Sequence, residues 1–255
     1  MTYIYKMKEH FLKKALLIIL MSFATIANAQ ENNNKELYEL RTYDIKTGAD
    51  VGILTTYIEN VLKHTLKRKG VNHMKLFKEF GNSDPTKLWL LISYPNANIY
   101  MNSQELHKDS LYLKESASYN QVNINDKLFY RNESMLLLAF DALPKMDDIE
   151  NDSSLFELRT YESYSEDANA RKIKMFNEEE LSLFYEVGLH PVFFGDQIAG
   201  QNRPCLTYMI QFKDMEEHDA NWKKFINSPK WNKMASKKEY ANTATKIHKV
   251  FLTPY

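Results

Sequence analysis

Four side chains, in two pairs, stand out as groups able to do chemistry: Arg41 with Tyr43, and Arg159 with Tyr161. Each pair belongs to the same pentapeptide, Glu-Leu-Arg-Thr-Tyr, at Glu39–Tyr43 and again at Glu157–Tyr161. An aromatic, Tyr38 or Phe156, precedes each copy. Alternate residues of a strand share a face, so Glu, Arg and Tyr point one way and Leu and Thr the other. If Leu40, Thr42, Leu158 and Thr160 face helices, the charged face points into the space between two sheets. A forked guanidinium beside a phenol there suits a carboxylate, phenolate or enolate ligand. The competing reading is structural. Buried charges must be paired, and a glutamate–arginine lattice would set the register between half-sheets. His190, just after Gly188-Leu189 at the start of a predicted strand, is a further candidate as a general base. The plain alternative is a loop-end histidine; its counterpart in the first copy is Asn72, with His73 one residue on.

Other chemical constellations are missing from the sequence. There is no glycine-rich phosphate loop, no G-x-S-x-G elbow and no H-E-x-x-H. His64, His73, His107, His190, His218 and His248 do not fall at metal-ligand spacing, so neither a metal nor another cofactor is expected. Cys205 is the sole cysteine and directly precedes a strand-like run, where a small thiol packs. Trp222, Phe225 and Trp231 read as anchors between helix and sheet, with interface or pocket-wall roles as the other reading. The runs Glu178–Glu180 and Lys237–Glu239 read as solvated helix faces.

The elements that must position these groups repeat at a constant offset of 118 residues. Gly70 maps onto Gly188, and the strand-like run Leu88–Tyr94 onto Leu206–Phe212. Self-similarity held over that length means two copies of one unit. In the first copy Tyr38–Tyr43 reads as a strand, followed by a helix from about Asp50 that stops at Gly70. Glycine closes a helix cheaply, and the basic last turn (Lys67, Arg68, Lys69) complements its dipole. Strands over 71–80 and 88–94 follow, joined by a turn at Asn82–Pro85, then a more polar helical region to about Ser118 and a strand at Met135–Phe140. The order is β-α-β-β-α-β, a ferredoxin-like unit. In the second copy the corresponding elements are Phe156–Tyr161, a helix over 168–187, strands over 189–198 and 206–212, helices from Met215 and near Lys230, and Lys249–Thr253. The predicted division is 1–29 as a signal peptide, 36–140 as the first repeat, 141–154 as a charged, polar linker, and 155–255 as the second repeat. A lone four-stranded unit leaves one sheet face bare, and two copies in one chain can bury those faces against each other. The fold class is therefore α+β, with two tandem ferredoxin-like repeats pairing their sheets. The barrel is expected to close within one chain, with homo-oligomers still able to form through other surfaces.

The first residues read as an address: a basic start (Lys6, Lys8, Lys13, Lys14), an apolar run Ala15–Phe23, and small residues in Ala27-Asn28-Ala29 ahead of Gln30. Export to the periplasm or the medium after cleavage near Ala29 is expected, with either Met1 or Met7 as the start. No stable membrane insertion is expected after cleavage. The chain carries 33 basic and 33 acidic residues; without the four lysines and Glu9 of the leader, 29 stand against 32. That mild acidity offers no electrostatic footprint for nucleic acid.

The aromatic-ELRTY strand, the strand LTYMIQF at Leu206–Phe212 and above all Trp222-Lys-Lys-Phe225-Ile-Asn-Ser-Pro229-Lys-Trp231 resemble the NIPSNAP family. The resemblance covers the second repeat and, more loosely, the first. Opposite the tryptophan motif, Gln104–Leu113 lacks Trp, Pro and Trp, so a role tied to that motif survives only once. The resemblance implies a dimeric α/β-barrel, in which two ferredoxin-like units share one barrel. It implies little about activity, because the wider superfamily spans cofactor-free monooxygenases, isomerases and haem enzymes. Two functional readings follow. One is a small-molecule binder, or an enzyme working without a cofactor, with its ligand in or beside the barrel. The other is a non-catalytic interaction protein built on a solid barrel core.

Overall fold

The computed structural model describes residues 35–81 and 83–255. The expected signal peptide, most of the polar leader and Asn82 of the expected turn lie outside the described residues. Each repeat opens with its ELRTY strand, β1 (Leu37–Ile45) in the first and β5 (Leu155–Glu162) in the second. A long helix follows each: α1 over 51–68 and α5 over 166–187. Asp50 starts α1 by accepting a hydrogen bond from the Gly52 amide, and Ser165 starts α5 by accepting from Ala168. Both helices widen into a π-helical stretch at matching places, Tyr57–Leu62 and Phe176–Glu180. Gly70 (φ 91°) and Gly188 (φ 84°) then turn the chain in the left-handed region, where glycine alone is unstrained.

The hairpins β2 (His73–Glu79) with β3 (Lys87–Tyr94), and β6 (His190–Ala199) with β7 (Cys205–Phe212), come next. The polar region of the first repeat breaks into the short helices α2 (Ala97–Ser103), α3 (Ser110–Glu115) and α4 (Ala117–Asn120). Its counterpart is more regular. It comprises α6 (Met215–Ile226) and α7 (Pro229–Ala235), with Ser228 capping α7 and Pro229 in its first turn. The last strands, β4 (Phe129–Ala139) and β8 (Lys246–Pro254), are longer than their apolar cores predict, because exposed polar residues continue the pairing. Among the described residues no helix is long and apolar enough to cross a membrane.

The eight strands close into one barrel in the order β1-β3-β2-β8-β5-β7-β6-β4, each neighbouring pair antiparallel. The repeats meet at two equivalent seams. At β2–β8, Phe77 to Glu79 pair with Pro254 to Leu252; at β4–β6, Leu136 to Ala139 pair with Ala199 to Gly195. The closed barrel thus comes from one chain, and among the described residues no strand edge is left open. Residues 141–154 carry no regular element but lie against the barrel. Leu143 is buried, Asp147 donates its amide to the Val192 carbonyl, and the Gln211 side chain binds Ser153 and the backbone of Glu150 and Asp148.

Three cores follow from this arrangement. One joins the repeats inside the barrel and contains Tyr38, Leu40, Phe77, Phe156, Leu158, Phe193 and Met209. The other two lie between each half-sheet and its own helices, and they contain Tyr43 in the first repeat and Tyr161 in the second. This corrects the facing inferred from the sequence. Tyr38, Leu40, Phe156 and Leu158 point into the barrel, and the Glu-Arg-Tyr face of each ELRTY strand points at the helices. Strand alternation separates two faces without saying which is inside. Here the more apolar face went to the closed interior.

Candidate functional site

In the second repeat the β5 face carries Glu157, Arg159 and Tyr161 beneath α5 and α6. Glu157 is fully buried. Its Oε1 accepts from Arg159 Nε (2.7 Å) and its Oε2 from the indole N–H of Trp222 (2.8 Å). The Arg159 guanidinium lies 3.8 Å from the Trp222 ring, and its Nη1 donates to the Tyr161 hydroxyl (3.2 Å). That hydroxyl is in turn 2.9 Å from the hydroxyl of Tyr208 on β7. Burial opposes charge on Arg159, but the phenols of Tyr208 and Tyr161 and the carboxylate of Glu157 more than offset it and hold the guanidinium above its ordinary value. Burial keeps Tyr208 protonated well above the usual phenol range. Among the described residues Nη2 of Arg159 has no hydrogen-bond partner.

A second buried ion pair sits close by on α5. Lys172 Nζ donates to Glu180 Oε2 at 2.7 Å, with both residues nearly sealed from water. Lys172 Nζ also lies 4.4 Å from the ring of Phe176, and 5.5 and 5.9 Å from those of Tyr161 and Trp231. Burial raises the Glu180 carboxyl, with Lys172 acting in the opposite sense. The pair is eight residues apart in sequence, with the π-helical stretch over 176–180 running up to Glu180, and both side chains are buried. This corrects the reading of Glu178–Glu180 as one solvated run, since Glu180 belongs to the interior.

Between these groups is a cavity of about 580 Å3, lined by Arg159, Tyr161, Lys172, Glu180, Trp222 and Trp231. His218 lies in its wall. Its Nε2 is 3.3 Å from Glu157 Oε2, off the line a hydrogen bond needs, and that buried nitrogen has no hydrogen-bond partner. Lys249, directly across from Arg159 on β8, and the exposed Ile247 form the outer edge. Three cations (Arg159, Lys172, Lys249) stand against two carboxylates (Glu157, Glu180), which leaves one positive charge to face a ligand.

The first repeat keeps the strand chemistry and loses the rest. Arg41 Nε donates to Glu39 (2.9 Å), whose other partners are the hydroxyls of Ser134 (2.6 Å) and Tyr94 (2.8 Å). At the positions of Lys172 and Glu180 stand Leu54 and Leu62, both buried. Tyr57 stacks on Tyr119 at 3.8 Å and reaches the hydroxyl of Tyr112 at 2.9 Å, filling space under the helices. Of the four predicted ligand-binding residues, then, Arg159 and Tyr161 line the cavity beneath α5 and α6, and Arg41 and Tyr43 do not. His190 lies apart from it, half exposed, with Nδ1 3.8 Å from the Glu150 carboxylate. Among the described residues no group of three His, Cys, Asp or Glu is placed to hold a metal ion. Lys172, Glu180, His218 and Tyr208 escaped the sequence reading. Laying the two copies side by side exposes the first pair, as charges standing where the other repeat has leucines.

Residues 156–255, which supply the whole of this cavity, match the NIPSNAP family profile. The second repeat is a NIPSNAP domain. The W-x-x-F-x-x-x-P-x-W segment of that domain contributes Trp222, Phe225 and Trp231 to the cavity wall. Among curated proteins none matches the chain significantly. Solved structures resemble both repeats together. A protein from Lactobacillus acidophilus NCFM, provisionally described as a monooxygenase, superposes with a TM-score of 0.56 at 10% identity, over 86% of this chain and 94% of its own. A second such protein, from Fusobacterium nucleatum, gives 0.57 at 11% identity over 86% and 92%. A mutant chlorite dismutase from Candidatus Nitrospira defluvii gives 0.52 at 6% identity over 86% and 91%. At such identities the likeness is one of fold: the NIPSNAP domain and its partner repeat form a dimeric α/β-barrel within one chain.

Proposed function

We propose that the protein binds a small planar organic anion, an aromatic carboxylate or phenolate, between the sheet and the helices of its NIPSNAP domain. One observation carries this reading. The second repeat holds an open cavity walled by Arg159, Lys172, Tyr161, Trp222 and Trp231, where the first repeat has leucines and packed tyrosines. Two buried ion pairs are costly to maintain and are often no better for stability than apolar residues, as Leu54 and Leu62 illustrate. The Glu157–Arg159 pair has its counterpart in Glu39–Arg41, but the Lys172–Glu180 pair is retained in the second repeat only, which fits a binding role. The single excess positive charge, the free Nη2 of Arg159 and the aromatic walls together match one anionic group on a flat apolar body. His218 beside Glu157 can accept a proton at the cavity wall, where the Tyr161 hydroxyl also lies. Proton transfer without a cofactor is the chemistry this set is suited to.

Titration calorimetry with 4-hydroxybenzoate and a panel of related aromatic carboxylates tests the proposal. Saturable binding of one molecule per chain is expected, weakened strongly by Arg159→Met and unchanged by Arg41→Met. Absence of saturable binding at millimolar concentration, or equal binding by Arg159→Met, overturns it.

A further inference from the structure

The barrel interior is not uniformly filled. Tyr38, Phe77, Phe156, Phe193 and Met209 pack one part solidly. Toward the other end the inward positions of the two ELRTY strands are the small Thr42 and Thr160, and a cavity of about 370 Å3 opens there, floored by Leu40 and Leu158. Its size is within the range of small-molecule pockets, about 300–1,000 Å3. It lies on the opposite side of the sheet from the NIPSNAP cavity, because residues 158 and 160 alternate with Arg159 and Tyr161.

The lining follows the internal two-fold relation of the repeats, and the relation breaks at the groups with chemical character. Glu79 of the first repeat corresponds to Gln197 of the second, Trp89 to Thr207, and Glu133 to His248. Gln197 is occupied, since its Oε1 accepts from the Cys205 thiol and its Nε2 donates to the Gln201 carbonyl. Glu79 is not. Its Oε1 accepts from the Trp89 indole N–H at 3.0 Å, and among the described residues no cation pairs with it. A carboxylate is thereby fixed against the edge of an aromatic ring, at the wall of a pocket.

The other charged groups that line the cavity are each already paired, which leaves Glu79, among the described residues, without a cation. Lys87 is paired with Asp44 (3.3 Å), Arg131 with Glu133 (3.5 Å), and His248 with Glu162.

We propose that the mouth of the barrel is a second, separate ligand site, which takes a small organic cation with an apolar body. The ammonium group pairs with Glu79 and lies against Trp89, and the apolar part rests on Leu40 and Leu158. The division of labour between the repeats follows. The second repeat supplies the anion cavity beneath its helices, and the first supplies the carboxylate and indole inside the barrel.

Benzyltrimethylammonium is a suitable probe, titrated by calorimetry into the full chain, with phenylacetate as the anionic control. One molecule per chain is expected to bind. Glu79→Gln, which keeps the shape of a half-exposed side chain, weakens it about tenfold or more, equal to about 1.4 kcal/mol. Trp231→Leu, which alters only the cavity of the NIPSNAP domain, leaves it unchanged, and phenylacetate does not displace it. Any of three results overturns the proposal: no saturable binding at millimolar concentration, equal affinity in Glu79→Gln, or loss of binding in Trp231→Leu. Since the anion site is read with 4-hydroxybenzoate and Arg159→Met, failure of either site is recognised without reference to the other.

Discussion

Arg159 rests its guanidinium 3.8 Å from the ring of Trp222, while the same indole donates its N–H to Glu157, the carboxylate that Arg159 neutralises. One tryptophan thus supports both halves of an ion pair, and it comes from a helix more than sixty residues away in sequence. In the first repeat Gln104 stands at that position, and the hydroxyls of Tyr94 and Ser134 satisfy Glu39 instead. The same buried pair is kept by two different sets of partners.

Removing the arginine strands a buried carboxylate in either repeat. Arg159→Met and Arg41→Met are each expected to lower stability by about 3–5 kcal/mol. Trp222→Phe, which leaves Glu157 one donor short, costs about 1–3 kcal/mol. Urea denaturation of the three variants measures this. Unchanged midpoints for both arginine variants would mean that water, and not protein, already satisfies the two glutamates.

Gly195 is needed for a different reason. A methyl group there would sit 2.6 Å from Leu137 Cβ, across the β4–β6 seam where the repeats join. Gly195→Ala must push β6 and β4 apart, at a cost of about 1–3 kcal/mol. A thermal melt indistinguishable from the parent would show that the seam relaxes freely.

Cys205 is buried, donates to Gln197 Oε1 at 3.1 Å, and has its thiol pushed up to about 11 by burial, with Glu162 and Asp196 adding to the effect. Little thiolate exists near neutrality. The folded protein is therefore expected to resist a disulfide reagent at pH 8 and to react fully once denatured. Rapid stoichiometric labelling of the native chain would contradict the burial.

We propose that the chain is exported, on the strength of the basic start, the apolar run and Ala27-Asn28-Ala29. Sequencing the mature N-terminus from the native host should find Gln30 or a close neighbour. An intact start recovered from the cytosol would refute the proposal.

The repeat, the strand order and both helix stops were legible because each rests on local signals: a constant offset, alternation, and a glycine after a periodic run. The facing of the ELRTY strands was not. Glu157 owes its burial to Trp222, and Arg159 to Tyr161 and the same tryptophan, so what decides the facing is tertiary and lies far along the chain. The cavity was legible in part. Arg159 and Tyr161 stood out by their types, whereas Lys172 and Glu180 sat in an amphipathic helix that gave no sign of which charges it buries. Leu54 and Leu62, at the same positions in the first copy, supply that sign.

Those two leucines also define the sharpest experiment on the second repeat. Lys172→Leu alone leaves Glu180 buried without its cation and should destabilise by about 3–5 kcal/mol. The double change, Lys172→Leu with Glu180→Leu, copies the packing of the first repeat and should be neutral or stabilising. Its pH dependence follows from Glu180, whose carboxyl is raised by burial. Between the ordinary carboxylate value and the raised one, the folded protein keeps a proton that the unfolded chain has released, so this group lowers stability as pH rises. The double variant lacks that loss. Its advantage over the parent should be smallest in acid, below the ordinary carboxylate range, and grow toward neutral pH. Chemical denaturation of the parent, both single variants and the double variant across pH measures the coupling directly. A double variant as unstable as Lys172→Leu would show that the second repeat cannot accept the packing of the first, and that the ion pair shapes the helix rather than the cavity.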